Sequence, residues 1–221
     1  MIELLDLRQT LDALAACNDD DDVWQRYGWV HATETDVLDA RFWLAPHGEA
    51  DDEDDLRTAA RALGLSTFLE AATFADVLDV QKRQRPLSAL DDYARALAHY
   101  LEYDAFAQVE GIDEALGAAP AEEQDIALAL GVGPGIFASF DLVLAACPPA
   151  QLKDVARRVA EHLQIPLGQA PPRCRALPLL LGESLDRNHA SALAADFRAI
   201  GTPLQVRGYR AFPWMAAPTL G

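Results

Sequence analysis

Leucines recur at Leu4, Leu7, Leu11 and Leu14 with Asp6, Arg8 and Asp12 between them, and that spacing predicts an amphipathic helix. The run "NDDDD" at 18–22 ends it. The pattern then changes period: "YGWVHA" (27–32) and "DVLDARFWLA" (36–45), rich in aromatic and β-branched residues, predict two strands. A second acidic run, "ADDEDD" at 50–55, leads into "DLRTAARALG", a helix that Gly64 is placed to close. Ser66 and Thr73 stand as N-caps for "TFLEA" and "FADVLDVQKRQ". Ser88 with Asp91 resembles a capping box before "ALDDYARALAHYLEYDAF", whose inward stripe is Leu90, Tyr93, Ala94, Leu97 and Leu101. A further short helix, "PAEEQDIALALG" (120–131), has Pro120 near its start and Gly131 at its stop.

"GVGPG" at 131–135 marks a boundary, and beyond it the pattern is simpler. "FASFDLVLAA" predicts a strand and "PPAQLKDVARRVAEHLQ" a helix with Leu152, Val155, Ala156, Val159 and Leu163 inward. "CRALPLLLG", "SLDRNHASALAADFRAIG" and "TPLQVRGYR" continue as strand, helix and strand, with Ser184 as a cap and Gly201 closing the helix. The expected fold class is α+β: an acidic α/β domain over 1–130, a compact β-α-β-α-β sandwich with one helical face over 137–210, and an aromatic tail at 211–221. In that tail Phe212 and Trp214 are expected to pack back onto a domain or to make a contact across the seam between the two domains.

Charge sharpens the division. Residues 1–127 hold 29 acids and 9 bases, while residues 128–221 hold 6 acids and 9 bases. The net charge of −17 repels nucleic acid and anionic membrane, so neither is expected as a partner. Three cysteines, Cys17, Cys147 and Cys174, give no disulfide framework and fit a reducing compartment. The opening residues carry acids where a signal peptide needs bases, and no apolar run reaches a membrane span. The expectation is a cytoplasmic protein, monomeric when free.

Two stretches carry resemblances. "LPLLLGESLDRNHASALAADFRAIGTPLQVR", within Phe140 to Arg207, resembles the C-terminal domain of the bacterial ribosomal stalk protein in its strand, helix, strand and closing Gly. The resemblance implies that topology. It does not carry over factor binding, because the family's Gly- and Lys-rich segment is replaced by "IPLGQAPPRCRALP", whose prolines shorten any helix there. From about Thr33 to Phe106, "ALGLSTFLEAATFADVLDVQKRQ" and "HYLEYDAF" resemble a family of small acidic bacterial domains without an established activity. Several such proteins sit beside bacterial toxin genes, so this resemblance implies an immunity or antitoxin role.

The residues offer little chemistry to set against that. "NDDDD" and "ADDEDD" lack the alternating oxygens and the Gly of a Ca²⁺ loop, and no His or Cys spacing marks a metal site. There is no G-x-S-x-G, and "GVGPG" lacks the Lys-Ser/Thr of a phosphate loop. No catalytic residue, cofactor or metal is expected. Trp24, Trp29, Trp43, Phe42 and Tyr27 lie close to the acidic runs, and an aromatic anchor inside a charged border is the usual form of a tight interface. The candidate partner-binding residues are therefore Asp19, Asp20, Asp21, Asp22, Trp43, Asp51, Asp52, Glu53, Asp54 and Asp55. The leading expectation is a non-catalytic immunity-type protein that neutralises a basic toxin domain. An adaptor using the stalk-like domain to meet a translation or secretion component is the alternative. An enzyme would need several of Asp36, Asp39, Asp51 and Asp52 to converge in a cleft.

Overall fold

A computed structural model describes residues 2–48, 53–112 and 117–220, with only the backbone of Glu53. The fold is mixed α/β, with two three-stranded antiparallel sheets and nine α-helices among the described residues. The chain divides into two compact units, one of Met1–Phe137 with Arg210–Ala216 and one of Ala138–Tyr209 with Ala217–Gly221. The aromatic stretch expected as a separate tail is thus shared between the two.

In the first unit β1 (Tyr27–Ala32) is the central strand, between β2 (Phe42–Pro46) and β3 (Ser66–Glu70), and pairs antiparallel with both. Strand alternation sorts its side chains. Val30, Ala32 and Phe42 enter a core built with α1 (Leu7–Ala15), α4 (Ala71–Gln84) and α5 (Leu90–Tyr103). Trp29, Trp43 and Ala45 turn to the opposite side, where α3 (Glu53–Ala62) contributes Leu56, Ala59 and Ala60. Phe212 and Trp214 stack at 4.9 Å and meet Tyr93 of α5 edge-on, which fixes Arg210–Ala216 in this unit.

Several local expectations are revised. "DVLDA" forms a turn rather than strand, because the Asp36 carboxylate accepts the Leu38 N–H at 3.0 Å and holds an Asx-type bend. "STFLE" is β3 and not a helix capped by Ser66: five residues beside β1 gain a ladder, which outweighs local helix propensity. α4 starts at Ala71, ahead of Thr73. At α5 the N-cap is Ala89, whose N–H donates to the Asp92 carboxylate at 2.8 Å. Ser88 instead turns inward to accept from Gln81 Nε2 at 2.9 Å. Leu101 lies beyond the buried stripe and is 45 % exposed.

"GVGPG" is tied into the first unit rather than free. The Gly133 N–H donates to the Arg210 carbonyl at 2.9 Å, and the Arg210 N–H donates to the Gly131 carbonyl at 3.0 Å. It follows α6 (Ala121–Ala129), which Gly131 closes at φ 76.

In the second unit β4 (Ser139–Leu144) is central, between β5 (Leu179–Leu185) and β6 (Gln205–Tyr209), antiparallel to both. Phe140, Leu142 and Leu144 alternate into a core with α7 (Leu152–His162), α8 (Ala170–Arg175) and α9 (Arg187–Ala199). Pro171 and Pro172 sit in the first turn of α8, where a missing N–H is tolerated, and that helix has only six residues. The cap of α9 is Asp186, which accepts from the Asn188 and His189 N–H groups, while Ser184 belongs to β5.

Candidate partner-binding surface

The first acidic run begins a helix. Asp19 N-caps α2 (Asp20–Arg26), its carboxylate accepting the Asp22 N–H at 2.9 Å. Asp20, Asp21 and Asp22 fill the first turn, where the positive end of the helix dipole offsets their repulsion. Asp22 also accepts the Asn18 N–H at 2.9 Å and Arg26 Nε at 2.8 Å. The backbone hydrogen bond first, and then Arg26, hold its carboxyl below the usual range. The sequence reading took this run as the end of the first helix and missed that four consecutive acids suit the start of another.

α4 brings two more acids to this place. Partial burial raises the Asp20 carboxyl first, and Asp76, Asp79, Asp19 and Asp21 then add to it. Asp76 is raised in the same way, by burial and then by Asp79. The neighbouring carboxylates thus disfavour ionisation of Asp20 and Asp76, as a shared negative field does. The stripe continues onto α5, where desolvation, Asp104 and Asp76 all push the Tyr100 phenol upward. Within α4, Arg83 lies 3.4 Å from Asp79 and tempers that field.

Aromatic rings border these acids. Trp24, one turn after Asp20 on α2, is 56 % exposed, with its ring 5.4 Å from His47. Tyr103 is 60 % exposed beside His99, and Phe106 is 47 % exposed against Tyr100 at 5.3 Å. Exposed rings beside carboxylates are what an interface with a basic partner needs.

Trp43 does not belong to this surface. It is 8 % exposed, stacks on His31 at 5.4 Å and packs with Ala45, Ala60 and Leu65. Its odd position in β2 sends it under α3, whereas Trp24, on a helix turn, faces outward. Asp54 and Asp55 are exposed in the first turn of α3, with Asp54 3.9 Å from Arg57. Asp51, Asp52 and the Glu53 side chain lie outside the described residues. Asp76 and Asp79 were absent from the sequence-derived set, although their spacing within a helix places them on one face.

Lys82 is the other group that sequence reasoning passed over. It is fully buried on α4 and donates to the Gly135 carbonyl at 2.6 Å and to the Ala211 carbonyl, with the Phe212 ring 5.6 Å away. Burial lowers its pKa to about 7, and Asp79 opposes that only in part. Among the described residues, no three His, Cys, Asp or Glu side chains gather as metal ligands. None of the described helices is long and apolar enough to cross a membrane.

Residues 4–109 match the family described as "Domain of unknown function (DUF7716)". The match covers α1 to α5 and agrees with an N-terminal domain similar to one of unknown function. No curated protein and no solved structure matches the chain.

Proposed function

We propose that the chain is a cytoplasmic, non-catalytic binding protein of the immunity or antitoxin kind, monomeric when free, which neutralises a basic protein domain. The observation that carries this reading is the meeting of Asp20, Asp76 and Asp79 from two helices beside the exposed Trp24. The first unit holds 29 acids against 10 bases, a field suited to steering a basic partner. Electrostatic steering of this kind raises association toward ~10⁸–10⁹ M⁻¹s⁻¹ at low salt. Desolvated aromatic contacts then set the lifetime of the complex.

The test is to co-express the chain with the basic protein encoded beside its gene and to score host growth and complex formation together. Rescue of growth by the wild-type chain, lost on Asp20→Asn, Asp76→Asn and Asp79→Asn in combination, supports the reading. Rescue that is absent, or unaffected by those substitutions, removes it.

A second reading, the stalk-like adaptor, draws support from the second unit. There a cleft of ≈ 450 Å³ is lined by Lys153, Arg157 and Arg175 together with Leu152, Ala156 and Leu167. Under this reading an acidic, apolar segment of a translation or secretion component docks there. Binding through residues 138–209 that persists when the acids of α2 and α4 are neutralised would favour it.

A further inference from the structure

The face of the first sheet that α3 covers contains a polar cavity for which the acidic surface has no use. His31 of β1 lies there between its register partners, Trp43 of β2 and Thr67 of β3. Two cavities, of ≈ 50 and ≈ 310 Å³, share His31, Arg57 and Thr67 in their linings. The larger adds Arg61, one helical turn after Arg57, and Glu34. Its volume suits a small ligand.

Three observations at this place point the same way. His31 is 3 % exposed, and its Nδ1 has no hydrogen-bond partner among the described residues. An unpaired buried ring nitrogen costs about 1–3 kcal/mol, a penalty that a hydrogen-bonding group entering the cavity would relieve. Second, Arg61 makes no ion pair among the described residues, and that of Arg57 is a 3.9 Å contact with an Asp54 side chain that is 95 % exposed. Such a contact is worth little. Third, the lining sets two guanidiniums against one carboxylate, within a unit where acids outnumber bases nearly threefold.

We infer that this cavity binds a small ligand carrying an oxyanion, a carboxylate or a phosphate group, gripped by Arg57 and Arg61 with His31 beneath it. Guanidinium forks match both anions in bidentate geometry, and the Thr67 hydroxyl adds a donor. The charged groups around His31 are Arg57, Arg61 and Glu34; Trp43 and Thr67 are neutral. Burial first lowers the His31 pKa, the Ser66 main chain opposes that, and Arg57 lowers it further, so the free ring is neutral at neutral pH. A bound anion reverses the balance. It favours the imidazolium, turns Nδ1 into a donor, and couples binding to uptake of one proton.

The experiment is a histidine ¹⁵N NMR titration of the full chain, first with inorganic phosphate and then with malonate, at constant ionic strength. A saturable change at His31 with either probe, an upward move of its pKa, and at least tenfold weaker binding in Arg61→Gln and Arg57→Gln are expected. The probe that binds more tightly names the anion. Both arginines are exposed, so the variants keep the wild-type thermal melt. A His31 signal that never saturates with either probe, or saturates equally in Arg61→Gln, overturns the inference.

Discussion

The ammonium of Lys82 lies 2.6 Å from the carbonyl oxygen of Gly135, and the two residues join α4 to the glycine-rich stretch after α6. With the Ala211 carbonyl as a second acceptor, a single buried cation ties together three separate parts of the first unit. Of the glycines in that stretch, Gly135 therefore presents its carbonyl to a cation.

This arrangement makes stability depend on pH. The unfolded chain holds the lysine proton up to 10.5, and the folded chain only to about 7. Between those values the unfolded state binds more protons, so stability rises with pH, and the burial penalty is complete below the folded value. Lys82→Met removes that slope and leaves two carbonyls without their partner. The difference in unfolding free energy between wild type and Lys82→Met should grow by on the order of 4 kcal/mol from neutral pH toward 10.5. Urea denaturation of both proteins across that range checks the sign.

Trp24 and Trp43 should separate binding from folding. Trp24→Ala removes an exposed ring, so the expected stability change stays within about 0.5 kcal/mol, while partner affinity falls by ~2 kcal/mol or more. Trp43→Ala opens a cavity beside His31 and should cost about 3–5 kcal/mol of stability. Paired thermal melts and binding isotherms distinguish the two.

The clustered acids should oppose stability. Asp20 and Asp76 have raised carboxyl pKa values in the folded chain, so their ionisation works against folding at neutral pH. That cost fades as pH falls through the raised folded values toward the unfolded value of 3.8. Asp20→Asn and Asp76→Asn should each raise the melting temperature slightly at neutral pH and low salt. The gain should shrink in high salt and vanish in acid. A lower melting temperature at neutral pH would show that the carboxylates do not repel in this way.

In the second unit, Asp141 joins both edge strands to β4. Its carboxylate accepts the Tyr209 hydroxyl at 2.5 Å and the Ser184 N–H at 2.9 Å. Desolvation first, and the Asp141 hydrogen bond and charge next, push the Tyr209 phenol up to about 12. Asp141→Ala should cost about 1–3 kcal/mol and bring that phenol part of the way back toward 10. An ultraviolet titration of tyrosinate reads the second effect.

The sequence revealed most where the hydrophobic period was long or the strand composition pure. "YGWVHA" is β1 over 27–32, and the Leu152–Val155–Val159 pattern is the inner face of α7. It revealed less where a tertiary partner decides the conformation. "STFLE" carries no helix or strand signal strong enough to stand alone, and β1 draws it into the sheet. The candidate surface was half legible: α2's acids were found, but Trp43 was chosen over Trp24. Strand alternation pairs Trp43 with the side of Trp29 and His31, yet nothing in the sequence says that α3 covers that side. Lys82 sits in "QKRQ", a polar run that reads as an exposed helix end. Its burial follows only from Gly135 and Ala211, 53 and 129 residues away.

The proposed role has the α2–α4 acids steer a basic protein partner onto the Trp24 face. Its most direct test is stopped-flow association of that partner with wild type and with the variant carrying Asn at Asp20, Asp21, Asp76 and Asp79, over a range of salt. An association rate at least tenfold lower at low salt for the variant, a much flatter salt dependence, and a dissociation rate close to wild type are expected. Equal association rates with the same salt slope would contradict the proposed role.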